Sequence, residues 1–306
     1  MFDKNDKNDK NECSRIKNKS FGAKNNLFYL LLLMKTFIRW QGNKSKHINK
    51  FIEYIPEFTG TYIEPFLGSG ALFLKLQPKK WIINDINKDL INVWECVKNN
   101  PGEIIEIFKQ FGTYFKPLSK QNKVIYCKEI TSKIELLPYD IKRATDYLLM
   151  KFCSYIGNIL HNNTFRFPTI DMNIYINNNY TFLKEKYYLN LHLISIFLKQ
   201  GCIFNQSYET ILDKAKERDF IFLDPPYIET HKYDFNYNKG EILDSSFIHN
   251  IYLQVKKLDS RKVKWLMTQA DTDEIKEIFK EYRIKTIQVY RMVSKSYVNE
   301  LIIMNY

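Results

Sequence analysis

Asp219-Phe220-Ile221-Phe222-Leu223-Asp224-Pro225-Pro226-Tyr227 joins four large apolar residues to an abrupt polar end. No polar residue interrupts the run, so neither face of a strand built from it can meet water, as in a central strand covered on both sides. Open α/β sheets bind ligands beyond the carboxyl ends of such strands. Chemistry is therefore expected at Asp224, Pro225, Pro226 and Tyr227. A strand that simply stops in a turn can also end in Asp-Pro-Pro-Tyr, and the surroundings must decide between the two.

The tetrapeptide suits one chemical problem, the alkylation of an exocyclic amine whose lone pair is delocalised into an aromatic base. The Asp224 carboxylate and the Pro225 carbonyl can each accept a hydrogen bond from such an NH₂ group and so localise its lone pair toward an electrophile. The prolines fix φ and hold that carbonyl still. Tyr227 can stack on the base.

Upstream, Tyr62-Ile63 runs into Glu64, Pro65, Phe66, Leu67, Gly68, Ser69 and Gly70 and then an apolar segment, a strand, glycine turn and helix. Glycines let a backbone pass close to a ligand, and the N–H groups of a helix start favour an anionic or acceptor-rich group. A second strand, Trp81 to Asn84, ends in Asp85, 21 residues after Glu64. An acidic residue so placed can hold ribose hydroxyls in nucleotide-binding βαβ units, or cap the next helix, whose face is Leu90, Val93, Trp94 and Val97. Before all this stands Phe37-Ile-Arg-Trp-Gln-Gly-Asn-Lys44. Ile48, Phe51, Ile52 and Ile55 then follow at helical spacing up to Pro56.

A formal charge of +12 on 306 residues points to a polyanionic partner, with an anionic membrane surface as the rival. Aromatic residues are 15% of the chain, and interleaved with Lys and Arg they suit base stacking as well as a dense core. The five cysteines show neither a Cys-x-x-Cys pair nor zinc-like spacing, so free buried thiols and no metal are expected. The apolar stretch Leu27 to Met34 is too short to span a membrane. The expected setting is cytoplasmic, nuclear or a viral-factory compartment, without secretion.

Residues 1–26 repeat Asp-Lys-Asn and carry little that could offset the entropy of ordering, so they read as a disordered tail. Residues 27–100 and 201–306 read as two parts of one sheet domain, and 101–200 as a mainly helical insertion. Within it, residues 161–181 carry Asn162, Asn163, Phe165, Arg166 and Phe167 in a hairpin or long loop. A polar stretch with aromatics, 229–246, follows the central strand. Helical spacing returns at Ile248 to Val255 and at Ile275 to Tyr282, around a strand from Val263 to Thr268. The runs 286–293 and 298–304 read as an antiparallel hairpin at the sheet edge.

Taken together these residues resemble the Dam-type (D12 class) DNA adenine-N6 methyltransferases. Phe37 to Lys44 is similar to that family's opening Phe-Leu-Lys-Trp-x-Gly-x-Lys, Glu64 to Gly70 to its cofactor loop, Asp85-Ile86-Asn87 to its Asp-x-Asn, and Asp224 to Tyr227 to its catalytic tetrapeptide. Asn299-Glu300-Leu301 is similar to its ending. The resemblance implies a Rossmann-like α/β methyltransferase sheet with an antiparallel C-terminal hairpin and an inserted target-recognition domain. It implies S-adenosylmethionine (SAM), leaving as S-adenosylhomocysteine, held by Trp40, Lys44, Glu64, Pro65, Phe66, Gly68, Gly70 and Asp85. Asp224, Pro225, Pro226 and Tyr227 would grip an adenine flipped from double-stranded DNA. Arg39, Asn162, Asn163 and Arg166 would contact that DNA, and a cognate restriction endonuclease is a candidate partner. The family's Asn-Gly-x-x-Arg-Tyr-Asn and Phe-Asn-Val-Pro elements are not reproduced between Gly157 and Pro168, so GATC is not implied. RNA adenine, cytosine N4, or DNA binding without catalysis are the alternative functions.

Overall fold

All four residues of β6 (Phe220–Leu223) are buried, and the strand has partners on both edges. The computed structural model describes residues 34–161, 164–165, 170–171, 174, 177–227, 245–291 and 296–306. The expected tail at 1–26, the segment from Leu27 up to residue 33, most of the 229–246 loop, and Asn162, Asn163 and Arg166 lie outside the described residues. Residues 35–306 form one compact unit.

Six further strands join β6 in one sheet: β1 (Tyr62–Glu64), β2 (Trp81–Asn84), β5 (Cys202–Phe204), β7 (Lys264–Ala270), β8 (Arg283–Arg291) and β9 (Ser296–Met304). The order is β5-β2-β1-β6-β7-β9-β8. Pairing is parallel from β5 to β7, then antiparallel through β9 and β8. The chain builds one half of the sheet outward from β1 and the other from β6, so the order reverses between these neighbours. That reversal opens a crevice at their carboxyl ends, where Glu64 and Asp224 stand.

Alternation along the strands sorts two unlike layers. Ile63, Ile221, Leu223, Trp265, Met267, Leu301 and Ile303 pack on α7 (Tyr208–Leu212), α8 (Ser245–Ser260) and α9 (Asp273–Ile278). The other layer is aromatic. Phe73 of α1 (Ala71–Leu76) meets Trp81, Trp94 and Phe197, while Phe51 stacks on Phe222 and Phe58 on Phe220.

Between β2 and β5 the chain makes a long helical excursion. α2 (Lys88–Asn99) buries the expected face Leu90, Val93, Trp94 and Val97. It is followed by α3 (Pro101–Phe115), α4 (Lys120–Lys133) and α5 (Ile141–Cys153), then a short antiparallel pair β3 (Leu160–His161) and β4 (Thr164–Phe165), then α6 (Glu185–Leu198). Both α5 and α6 pack against α2. The thiols of Cys96, Cys127, Cys153 and Cys202 are free. Among the described residues no helix is long and apolar enough to cross a membrane.

Three local expectations change. The spacing at Ile48 to Ile55 gives successive 3₁₀ turns, Lys44–Lys46, Ile48–Lys50 and Ile52–Tyr54. Spacing of i, i+3 serves either helix type, and a run this short before Pro56 does not repay α-helix nucleation. The helix expected through Tyr282 ends at Ile278, where Phe279 N–H donates to the Ile275 carbonyl at 3.1 Å, and Tyr282 N–H closes a separate turn on the Phe279 carbonyl at 2.9 Å. The cap of α2 is Asn87, whose side chain accepts from Leu90 N–H at 2.9 Å, while Asp85 accepts from Asn87 N–H at 2.9 Å.

Candidate active site

Asp224 is delivered by β6 to the crevice floor, and two neighbours hold the same oxygen of its carboxylate. Thr268 Oγ1, on β7, donates to Oδ1 at 2.6 Å, and Lys44 Nζ stands 3.0 Å from that atom. Oδ2 receives neither contact. The Pro225 carbonyl accepts no hydrogen bond from the described residues. Among the described residues, two acceptors therefore remain at the strand end. Burial raises the pKa of Asp224, with Lys44 and Thr268 opposing and the Glu300 carboxylate adding to the rise.

Tyr227 is buried beside them. Its hydroxyl accepts from Lys44 Nζ at 2.8 Å and donates to Glu300 Oε2 on β9 at 3.2 Å. Burial alone would lower the pKa of Lys44, but attraction from Asp224, Tyr227 and Glu300 outweighs it and the value is raised. Arg291 Nη2 of β8 lies 3.6 Å from Glu300 Oε1. The edge hairpin thus reaches the site with one acid and one base.

The glycine loop after β1 is pinned from several sides. Leu67 N–H donates to the Asn84 carbonyl at 2.9 Å, and Asn84 Nδ2 donates to the Pro65 carbonyl at 3.0 Å. Gly68 N–H donates to Asp85 Oδ2 at 2.9 Å, and Trp94 Nε1 donates to the Gly68 carbonyl at 3.3 Å. Gly68 and Gly70 have φ of 49° and 62°, in the left-handed region. A Cβ on Gly68 would stand 2.7 Å from Trp40 Cδ1, so the indole of Trp40 lies flush on the loop. Burial lifts Asp85 to about 6, against the opposing bonds from Asn87 and Gly68. Glu64 is buried too, with Tyr62 OH donating to its Oε2 at 2.7 Å. Phe66 faces Tyr208 and Phe247, at 5.2 and 6.4 Å between ring centroids.

The sequence placed Lys44 with the cofactor, and the structure sets its ammonium on the tetrapeptide. Arg39, expected to reach DNA, donates to Asp171 Oδ2 at 2.9 Å and to the Ser154 carbonyl at 3.4 Å. Its side chain is 29% exposed. Trp40, Glu64, Pro65, Gly68, Gly70 and Asp85 gather around the end of β1, and Asp224 to Tyr227 around the end of β6. From the sequence, Thr268 and Asn84 stand out only as strand residues. Thr268 ends an apolar run with a hydroxyl, a signal too common to single out without knowing that β7 neighbours β6. Among the described residues no group of three or more His, Cys, Asp or Glu is placed to hold a metal.

Sheet order, glycine loop and acid-tipped neighbouring strands are those of a Rossmann-like methyltransferase fold. The model of the D12 class N6 adenine-specific DNA methyltransferases matches residues 40–293, and the chain belongs to that family. It is an adenine-specific DNA methyltransferase, of a family that uses SAM. Among its relatives is the Type II methyltransferase M1.LlaDCHI of Lactococcus lactis subsp. cremoris, 26% identical over 89% of this chain and 96% of that protein. Another is the Type II methyltransferase M.MjaIII of Methanocaldococcus jannaschii, 27% identical over 89% of this chain and 99% of that one. The DNA adenine methylase of Haemophilus influenzae is 24% identical over 86% and 88%.

Proposed function

We propose that the crevice between β1 and β6 performs the methylation with Asp224 Oδ2 and the Pro225 carbonyl accepting from the adenine N6 amine, and that Tyr227 stacks on the base. The observation that carries this reading is the one-sided hold on Asp224. Thr268 and Lys44 hold Oδ1, so Oδ2 is presented rather than left to rotate, next in the chain to a Pro225 carbonyl that accepts no hydrogen bond from the described residues. Both acceptors draw density onto N6, a preorganised electrostatic effect that needs no rearrangement at the moment of reaction.

A nucleoside-bearing cofactor fits the neighbouring loop, because Gly68 and Gly70 let the backbone turn tightly through the left-handed region and Asp85 keeps lone pairs beyond those taken by Gly68 and Asn87. Trp40, Glu64, Pro65, Gly68, Gly70 and Asp85 would hold SAM, which when bound supplies an electrophilic methyl carbon. Holding two reactants in line is worth up to about 7 to 11 kcal/mol of barrier. No base need act first. Once alkylated, N6 is cationic and acidic, and Asp224, made more basic by its burial, takes the proton.

An adenine inside a duplex cannot reach this crevice, so it must be extruded, at roughly a few kcal/mol. Residues 101–200, with Asn162, Asn163 and Arg166, are the block we assign to reading the target sequence. An intracellular compartment and, for a restriction-modification setting, a cognate endonuclease complete the reading. The test is Asp224→Ala: methyl transfer should fall by about a thousandfold or more while calorimetry shows S-adenosylhomocysteine still bound. Full activity in that variant sinks the assignment.

A further inference from the structure

Lys151, on α5, is 7% exposed, and among the described residues its ammonium has no hydrogen bond or ion pair. It sits 4.5 Å from the centroid of the Trp40 ring and 5.3 Å from that of Tyr147. Trp40 is the indole that lies on Gly68, so the cation is one aromatic ring away from the glycine loop. A buried charge that lacks a partner is costly, and contact with aromatic faces recovers only part of that cost. Burial accordingly pulls Lys151 down to about 7, with Asp89 the one opposing attraction. Asp89 itself is engaged by Arg143, at 2.5 Å to Nε and 3.2 Å to Nη2.

The charge balance of the site singles this residue out. Glu64, Asp85, Asp224 and Glu300 are acids around the crevice, and among the described residues two of its cations are already committed. Lys44 bonds Tyr227 and stands beside Asp224 and Glu300, and Arg291 stands beside Glu300. Lys151, packed on the Trp40 ring that lies on Gly68, is by contrast a basic side chain that no carboxylate of the described residues has claimed.

We propose that Lys151 binds the α-carboxylate of the amino-acid tail of the methyl donor, with Trp40 as the wall that aims the ammonium at it. The inference rests on the reading of the glycine loop as the cofactor site. It makes two demands that packing alone would not: the residue must matter to a ligand that carries the carboxylate, and be indifferent to one that lacks it.

Calorimetric titration of the full chain with S-adenosylhomocysteine and with 5′-methylthioadenosine separates these. The second ligand keeps adenine, ribose and thioether but has no amino-acid tail. Lys151→Met should weaken S-adenosylhomocysteine by about ten- to a hundredfold, the range for losing a charged hydrogen bond, and leave 5′-methylthioadenosine unchanged. Lys151→Gln, of similar length and uncharged, should give the same pattern and serves if the methionine variant does not fold. Unchanged S-adenosylhomocysteine binding overturns the inference while the cofactor reading stands. Equal weakening of both ligands also overturns it, since Lys151 would then act through the shape of the Trp40 wall. Failure of the unaltered protein to bind either ligand removes the cofactor reading itself, and this inference with it.

Discussion

Thr268 illustrates how a single hydroxyl can set the direction of a carboxylate. Its 2.6 Å bond and the Lys44 ammonium both fall on Asp224 Oδ1, so replacing it by the near-isosteric valine should free the carboxylate to rotate without opening a cavity. Thr268→Val is expected to lower single-turnover methylation by about ten- to a hundredfold, the worth of a hydrogen bond to a charged group. Affinity for S-adenosylhomocysteine should be untouched, and Thr268→Ser should restore most of the rate. A valine variant as fast as the parent would show that Lys44 alone orients Asp224. Lys151 supplies a second residue-scale outcome. Its folded pKa of about 7 lies below the ordinary 10.5. Between those values the unfolded chain holds the proton more often, so this residue's contribution to stability improves as pH rises through that window and its full penalty persists below it. Tyr147, whose own pKa burial raises well above normal, stays neutral throughout. Lys151→Met should therefore melt above the unaltered protein at pH 6.5, by a margin that shrinks toward pH 10. A margin independent of pH would mean that the methionine gains by packing rather than by removing charge.

At the scale of elements, the glycine loop is the piece whose geometry tolerates least. Gly68 combines φ of 49° with a Cβ path ending 2.7 Å from Trp40. Gly68→Ala should cost about 1 kcal/mol or more from backbone strain and displace Trp40. Gly102 makes the control: it lies in α3 with nothing within 4 Å of its Cβ position, so Gly102→Ala should be neutral or stabilise by up to about 1 kcal/mol. Melting curves of the two variants, read with Trp fluorescence, check the contrast, and equal melting temperatures would refute it. The loop was legible because its glycines, its flanking strand and Asp85 are local in sequence. The edge hairpin was legible for the same reason, since its two strands are close neighbours in sequence. What stayed hidden needs knowledge of which strands are neighbours. β5 has an exposed or half-buried pattern, which shows no alternation to read. Glu300 was visible only as part of a closing motif, and its bond to Tyr227 joins residues 73 apart. The same spacing that suggested a helix at Ile48 yields 3₁₀ turns, because periodicity reports a buried face and not the hydrogen-bond pattern behind it.

For the whole molecule the decisive quantity is charge. The chain carries 46 Lys and Arg against 34 Asp and Glu, yet several buried or half-buried cations are spent internally: Lys44 on Asp224 and Tyr227, Arg291 on Glu300, Arg39 on Asp171, Arg143 on Asp89. The excess that meets phosphate must therefore come from exposed lysines and arginines elsewhere. A DNA enzyme that neutralises about 6 to 10 phosphates releases the counterions they held, and its affinity should fall by about 10³ to 10⁵ between 50 and 200 mM salt. Fluorescence anisotropy with a labelled duplex measures this directly. Lys151→Met should leave the slope of log affinity against log salt unchanged, because a residue only 7% exposed beside Trp40 reaches no backbone phosphate. Removing one exposed phosphate-binding lysine should reduce the slope by about one. A response flat in salt would break the link between the net charge and DNA. A slope altered by Lys151→Met would instead place that ammonium on the nucleic-acid side of the protein, and the two cationic systems inferred here, one for the cofactor and one for the backbone, would collapse into one.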